Sequence, residues 1–109
     1  MAGKFVVKTG KSGKVHFNLK ASNGQIVLTS EKYETRASAI KGIESVKKNA
    51  ANDARFERKK GKDGSPYFVL KASNGEPLGR SEMYKSASSM ENGIASVGKN
   101  AADSTTVDE

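Results

Sequence analysis

The sequence predicts an α+β fold in which two consecutive βββα units form one six-stranded antiparallel sheet, with both helices packed on one face. Three observations predict it. The chain repeats itself at a constant spacing of 51 residues, each copy opens with the apolar/polar alternation typical of strands, and each copy closes with helical periodicity. Mean hydropathy is −0.64, so we expect a soluble protein.

The repeat is clearest in the string Leu-Lys-Ala-Ser-Asn-Gly, which occurs at residues 19–24 and again at residues 70–75. About half of the aligned positions are identical and no gap is needed, so we interpret the chain as a duplication. Other positions with the same spacing include Phe5 and Phe56, Gly10 and Gly61, Tyr33 and Tyr84, and Gly42 and Gly93.

At 109 residues and 35% hydrophobic content, the chain has enough apolar side chains for one shared core. Two separate cores of roughly 50 residues would be marginal, because small domains bury too little surface to offset chain entropy. We therefore predict a single domain, residues 1–109, built from repeat 1 (residues 4–53) and repeat 2 (residues 55–103). Residues 104–109 are polar and acidic, and we expect a disordered tail.

The strands of repeat 1 follow from composition and alternation. Residues 4–9 are rich in β-branched and aromatic residues, and residues 15–22 alternate between apolar and polar. The Asn23-Gly24 pair that follows predicts a two-residue type I′ turn into a third strand. In repeat 2, Pro77 stands in this third strand, so we expect the start of that strand to lie at an edge or to be unpaired on its far side.

The closing segment of each repeat has one apolar stripe at helical spacing. Gly42 and Gly93 lie inside these helices, where glycine costs about 1 kcal/mol relative to alanine. We therefore predict that each glycine marks a close approach of the helix to the sheet or to the other helix. The stripe residues are Ala39, Ile43, Val46 and Ala50 in repeat 1, and Met90, Ile94, Val97 and Ala101 in repeat 2.

Three repeated motifs resemble the YegP-like family of small, uncharacterised bacterial proteins over nearly the whole chain. They are Leu-Lys-Ala-Ser-Asn-Gly, the segment Ser30-Glu31-Lys32-Tyr33, and the closing Gly-Ile-x-Ser-Val-x-Lys-Asn-Ala. The resemblance implies a β(3)-α motif, as tandem repeats or as two subunits, that assembles into one sheet with its C-terminal helices exchanged between the halves. It implies no established activity and therefore supplies no catalytic or binding residue.

Catalytic and metal-binding chemistry find little support in the residues. His16 is the only histidine, there is no cysteine, and no His/Asp/Glu cluster has the spacing of a metal site. Gly10-Lys11-Ser12-Gly13 lies between two predicted strands, which favours a hairpin turn over a phosphate-binding loop. Glu31 and Glu82, the only acidic residues kept in both repeats, are one candidate for a twofold-related site, but we favour their interpretation as loop residues. We predict no catalytic residue, no cofactor, no metal and no enzymatic activity.

The expected location is the cytoplasm. A chain without cysteine fits a reducing compartment, and no run approaches the ~20 apolar residues of a membrane helix. We therefore expect no membrane association.

The charge of the chain favours anionic partners in general. The net charge is +7, of which +6 lies in residues 1–53. The predicted alternation places several of these cations, one imidazole and one phenol ring on the sheet face without helices. The tentative contacts to an anion or a nucleic acid are Lys8, His16, Lys20, Lys59, Tyr67, Lys71 and Arg80.

Two classes of function fit this face. Scattered apolar residues on it favour a protein-interaction or structural module, with a protein partner or self-association. Its cations and aromatic ring are also compatible with nucleic-acid binding, although the chain has only 6% aromatic residues and no RNA-recognition signature. The sequence itself leaves the partner and the biochemical function unknown.

Overall fold

A computed structural model describes residues 3–102 and 104–108. These residues form a sheet of seven strands, two α-helices and a short 3₁₀ turn at Asp53–Arg55. The elements in chain order are β1 (Lys4–Thr9), β2 (Val15–Lys20), β3 (Ile26–Ser30), α1 (Arg36–Asn49), β4 (Phe56–Lys60), β5 (Pro66–Lys71), β6 (Pro77–Arg80), α2 (Ala87–Ala102) and β7 (Thr105–Asp108).

The sheet is mixed, with the strand order β4-β5-β6-β3-β2-β1-β7. The six strands of the two repeats run antiparallel to their neighbours, and β7 runs parallel to β1. The predicted α+β class with two helices is confirmed. The predicted six-stranded, purely antiparallel sheet is wrong in the number of strands and in the direction of the last one.

The additional strand also corrects the prediction of a disordered tail. Residues 105–108 pair with Lys4–Val7 of β1, and Arg36 Nε and Nη2 each lie 2.8 Å from a carboxylate oxygen of Asp108. The repeat explains the parallel direction, because residues 105–108 correspond to residues 54–57, which lead into β4. The chain that leaves α2 therefore lies beside β1, just as the chain that leaves α1 continues into β4.

The last residue of predicted repeat 2, residue 103, and the last residue of the predicted tail, residue 109, lie outside the described residues. The extent of repeat 2 and of the tail at these two positions therefore stays a prediction.

The turn at Asn23-Gly24 differs from the predicted type I′ turn. Gly24 has φ +86°, but Asn23 does not have positive φ, whereas a type I′ turn needs positive φ at both central residues. Ala21 N–H donates to the Gln25 carbonyl, so the loop has three residues, and a β-bulge follows near Leu19. The same positive φ occurs at Gly13, Gly64 and Gly75.

The two repeats join where β3 pairs with β6. Thr29 lies opposite Arg80, and these two residues are related by the 51-residue repeat, so a pseudo-twofold axis passes through this pair. Exact symmetry is broken beside it. A Cβ on Gly79 would lie 2.8 Å from the Thr29 carbonyl oxygen and 3.1 Å from Leu28 Cγ, so a leucine at both 28 and 79 would collide.

One hydrophobic cluster joins both repeats between the sheet and the helices. Its fully buried centre includes Phe17 and Leu19 of β2 and the equivalent Phe68 and Leu70 of β5. The two helical stripes predicted from the sequence are buried in the same cluster. Thr35 caps α1 by accepting a hydrogen bond from the Ser38 N–H, as expected of a threonine at this position.

Each helix crosses from its own repeat onto the other. Helix α1 packs against β1 and β2 and also against β5 and β6, and α2 packs against β5 and also against β2 and β3. The helices meet near their ends, where a Cβ on Gly98 would lie 3.2 Å from the Ala50 carbonyl oxygen. This crossing agrees with the helix exchange implied by the family resemblance.

Candidate functional site

The face of the sheet opposite the helices, here called the open face, has one continuous row of side chains across all seven strands. The register places each residue of the row directly beside the next on the neighbouring strand. Because successive side chains point to opposite faces, the residues two positions away on each strand share this face. The row reads Val107, Val6, Asn18, Thr29, Arg80, Val69 and Glu57.

All seven predicted contact residues lie on the open face. Lys8 and His16 are opposite each other on β1 and β2, and Lys59 and Tyr67 are opposite each other at the equivalent places on β4 and β5. Arg80 lies at the pseudo-twofold axis. The structure therefore brings four of these residues into two adjacent pairs.

The two remaining lysines lie on other parts of the face. Lys20 is paired with Lys4 and Ile26, on the opposite side of the row from Lys8. Lys71 is paired with Pro77 in the equivalent place in repeat 2. The seven residues are thus spread over the sheet and do not converge on one point.

One carboxylate offsets part of the positive charge on the repeat 2 part of the face. Glu57 Oε1 lies 2.7 Å from Lys71 Nζ and 3.4 Å from Lys59 Nζ. The nearby ammonium group of Lys71, aided by the charge of Lys59, lowers the pKa of Glu57 below its ordinary value. Glu57 therefore stays ionised and engages both lysines.

The repeat 1 part of the face keeps its positive charge. The position equivalent to Glu57 is Val6, which is only 2% exposed. Within residues 3–102 and 104–108, no strand of repeat 1 carries an acidic side chain on this face, where Lys4 and Lys20 lie. This half is therefore a basic surface around a buried apolar centre.

Apolar side chains and two rings complete the open face. Ile26 is 36% exposed and Val107 is 40% exposed. Tyr67 is the one phenylalanine, tyrosine or tryptophan of the described strands on this face, because the Phe17–Tyr33 and Phe68–Tyr84 stacks lie on the helix side. The face therefore offers charge and aliphatic contact area, with one phenol ring at Tyr67 and one imidazole ring at His16.

The repeated Ser-Glu segments have a structural explanation. Ser30 Oγ accepts a hydrogen bond from the Phe17 N–H at 2.8 Å and donates to the Glu31 carbonyl. Ser81 makes the same pair of bonds in repeat 2. The serine hydroxyl thus extends the pairing between strands, which accounts for its presence in both copies without a ligand.

The structure also contains a pair of equivalent clefts that sequence reasoning missed. They are called the crossover clefts here, because the end of each helix faces the β-hairpin turn of the other repeat. Cleft 1 is lined by Ser45, Lys48 and Asn49 of α1 with Ser73 and Asn74 of repeat 2. Cleft 2 is lined by Ser96, Lys99 and Asn100 of α2 with Ser22 and Asn23 of repeat 1.

Most of these lining residues belong to the two strings that repeat most completely, Leu-Lys-Ala-Ser-Asn-Gly and the closing helix motif. This repetition is the sequence signal that could have identified them. Their meeting depends on the crossing of the helices, and periodicity does not predict that crossing. Elsewhere in the described chain, no group of three His, Cys, Asp or Glu side chains is placed to hold a metal ion. No helix of the described residues is long and apolar enough to span a membrane.

Comparison with known proteins gives a consistent result for both repeats. Residues 11–57 and 62–108 each match the family described as a domain of unknown function, DUF1508. A UPF0339 protein of Bordetella pertussis is 53% identical over 109 residues, covering 100% of this chain and 97% of that protein. The UPF0339 protein YegP of Yersinia pestis is 50% identical over 98 residues, covering 90% of this chain and 88% of that protein.

Two solution NMR structures have the same fold. The Escherichia coli protein of unknown function yegP has a TM-score of 0.94 and 44% identity, covering 100% of this chain and 94% of that one. A UPF0339 protein of Shewanella oneidensis has a TM-score of 0.92 and 40% identity, covering 99% and 92%. These relatives are uncharacterised, and the predicted YegP-like resemblance is confirmed. The chain therefore belongs to the UPF0339 family, and it carries the DUF1508 domain twice.

Proposed function

We propose that this protein is a non-catalytic interaction module of the cytoplasm, and that the basic half of its open face binds an acidic surface of a partner protein. The observation that carries the proposal is the charge difference between the halves of the face. Glu57 engages the lysines of repeat 2, whereas Val6 at the same place leaves Lys4 and Lys20 without an acidic strand neighbour. A surface with this charge attracts and orients acidic partners.

The apolar residues of the face favour a protein partner over a nucleic acid. Ile26 and Val107 lie at its borders and are partly exposed, which provides aliphatic area of the kind that protein interfaces bury. Sheets that bind single-stranded RNA stack two or three bases on aromatic side chains, whereas the aromatic side chains of this face within the described strands are Tyr67 on β5 and His16 on β2, which two other strands separate. Nucleic-acid binding is therefore the second candidate.

The single histidine supports a binding role over catalysis. His16 lies opposite Lys8 on the neighbouring strand, so its nearest strand neighbour is a cation and not the carboxylate that orients a general base. The sheet around it distributes its polar groups along the strands. The same residues suit a surface that recognises charge and shape.

The test is a titration of the ¹⁵N-labelled protein, followed by NMR, with two ligands of equal charge. One is a 12-residue peptide of alternating glutamate and leucine, and the other is a single-stranded oligodeoxynucleotide. We expect the peptide to shift amides of β1 and β2, more strongly at low salt, because exposed charge pairs are screened by ions. Lys20→Glu should weaken this binding about tenfold, the effect of roughly 1.4 kcal/mol.

Lys41→Glu is the matched control, because Lys41 is exposed on α1, on the other side of the sheet. It changes the net charge equally and should leave peptide binding nearly unchanged. Tighter binding of the oligonucleotide at the same amides would replace the proposal with the nucleic-acid candidate. Equal effects of the two variants, or no shifts from either ligand at millimolar concentration, would overturn it.

A further inference from the structure

The crossover clefts combine repeated polar side chains with positive charge, away from the open face. Lys48 reaches cleft 1 and Lys99 reaches cleft 2, and Arg55 adds a second cation to cleft 1. Among the residues that the structure describes, no acidic side chain lines either cleft. We infer that each cleft binds one small anion that also carries hydrogen-bond donors, such as a phosphate monoester or a hydroxy acid.

Some of the repeated side chains in the clefts already have structural partners. Asn49 Nδ2 donates to the Ser45 carbonyl oxygen at 2.8 Å, and Asn100 Nδ2 donates to the Ser96 carbonyl at 2.8 Å. Asn74 Oδ1 accepts from the Glu76 N–H within its turn. These bonds shape the helix end and the hairpin turn, and they explain why the asparagines are kept in both copies.

No hydrogen bond of this kind explains why the lysine and the turn serine of each cleft are identical in both repeats. Lys48 and Ser73 face each other across cleft 1, as Lys99 and Ser22 do across cleft 2. None of these four side chains bonds to another described residue, yet all four are identical between the repeats. Half of the aligned positions have diverged, so this pairing of an ammonium group with a hydroxyl group indicates use by a ligand.

The position at a helix end defines the ligand further. The C-terminus of a helix carries a partial negative charge, which opposes a bare anion and favours groups that donate hydrogen bonds. The ammonium group of Lys48 attracts an anion to the same place. A ligand that has an acidic group beside hydroxyl or amine groups satisfies both requirements.

Each cleft needs both repeats, because its helix residues come from one copy and its turn residues from the other. The two clefts are nevertheless separate from each other, since they lie at the ends of different helices. Two equivalent and independent sites in one chain therefore allow each to serve as the internal reference for the other.

Inorganic phosphate, which has both negative charge and hydroxyl groups, is the probe for the test. We would titrate it into the full-length ¹⁵N-labelled protein at constant ionic strength, set with sodium chloride, and follow the amides of residues 22–24 and 73–75. We expect saturable shifts at both turns. Lys48→Gln should weaken binding about tenfold at residues 73–75 only, because a charge-assisted hydrogen bond is lost, and Lys99→Gln should do so at residues 22–24 only.

Lys41→Gln, a neutralisation elsewhere on α1, should leave both turns responsive. Shifts that do not saturate, that chloride alone reproduces, or that fall equally in Lys41→Gln and Lys48→Gln would overturn the inference. Well-dispersed spectra of each variant confirm that it folds. Lys20→Glu on the open face should leave the phosphate response intact, so the outcome is distinguishable from that of the proposed peptide binding.

Discussion

The ring of Tyr33 fills the space over Gly42. A Cβ added to Gly42 would lie 2.6 Å from Tyr33 Cζ and 3.1 Å from Phe17 Cε2. The rings of Phe17 and Tyr33 stack with their centroids 6.1 Å apart, so the tyrosine has little freedom to move aside. Repeat 2 has the same arrangement at Gly93. Glycine is therefore required in the helix interior, because a larger residue would occupy the space that the stacked pair of aromatic rings fills.

Substitution of Gly42 by alanine should destabilise the protein. Overpacking of a filled core costs about 1–3 kcal/mol, and the better helix propensity of alanine offsets about 1 kcal/mol of that cost. The difference is about 0–2 kcal/mol, and because the added Cβ would lie 2.6 Å from the Tyr33 ring we expect a net loss near its upper end, about 2 kcal/mol in the free energy of unfolding, measured by urea denaturation.

The Tyr33→Ala background provides the control for this substitution. Without the ring, Gly42→Ala should be neutral or stabilising, so the two changes should couple by more than about 1 kcal/mol. A neutral Gly42→Ala in the wild-type background would show that the close approach does not limit the volume at this position.

The junction of the repeats should be equally sensitive at Gly79. A Cβ there would lie 2.8 Å from the Thr29 carbonyl oxygen, which belongs to the paired backbone and cannot rotate away. We expect Gly79→Ala to cost about 1–3 kcal/mol in urea denaturation. Gly10→Ala is the control, because its Cβ would lie 3.6 Å from the Lys14 carbonyl oxygen, an ordinary contact. Equal effects of the two would contradict the steric explanation.

Acid should release β7 before the rest of the sheet. The hydrogen bonds from Arg36 lower the pKa of Asp108 below its ordinary value. A carboxylate with a lowered folded-state pKa stabilises fully above its unfolded-state pKa, roughly 4, and this contribution is lost as pH falls through the lowered value. We expect hydrogen exchange at residues 105–108 to lose protection in that acidic range, while β2 and β5 stay protected.

Asp108→Asn is the control for the pH effect. It should weaken β7 protection at neutral pH and remove the acid dependence, since the amide does not titrate in this range. If protection of residues 105–108 in this variant falls with acid as in the wild type, another group controls the strand.

A fragment that ends at residue 54 should not fold as a monomer. Helix α1 packs partly against β5 and β6, so the fragment would lose one side of its core and the neighbour of β3. We expect a disordered circular dichroism spectrum at micromolar concentration, or structure that appears only with dimerisation in sedimentation velocity. A compact monomer with a cooperative thermal transition would contradict the shared core.

Local patterns predict most elements of this fold, and tertiary relationships account for the rest. The alternation around Phe17 and the stripe around Ile43 are strong because each element buries one face. Thr105–Asp108 has no such alternation, and it becomes a strand because α2 delivers it to an open edge. The turn at Asn23-Gly24 was predicted in place but not in type, since the bulge near Leu19 depends on how β3 pairs.

Local patterns likewise predict part of the candidate sites, and tertiary structure determines the rest. Alternation alone places Lys8, His16 and Arg80 on the open face, because one register fixes the direction of every strand side chain. The engagement of Lys71 by Glu57 depends on the proximity of side chains on neighbouring strands. The crossover clefts require knowledge of where the two helices end, which no local pattern contains.

The axis between Thr29 and Arg80 has a consequence for how such a molecule can evolve. Two identical, separately encoded halves would place every axial residue against its own copy, so an arginine would meet an arginine and a leucine would meet a leucine. Covalent fusion removes that constraint. Complementary partners, such as a hydroxyl beside a guanidinium or a large side chain over a bare backbone, can then be selected independently, and each half is free to acquire its own chemistry.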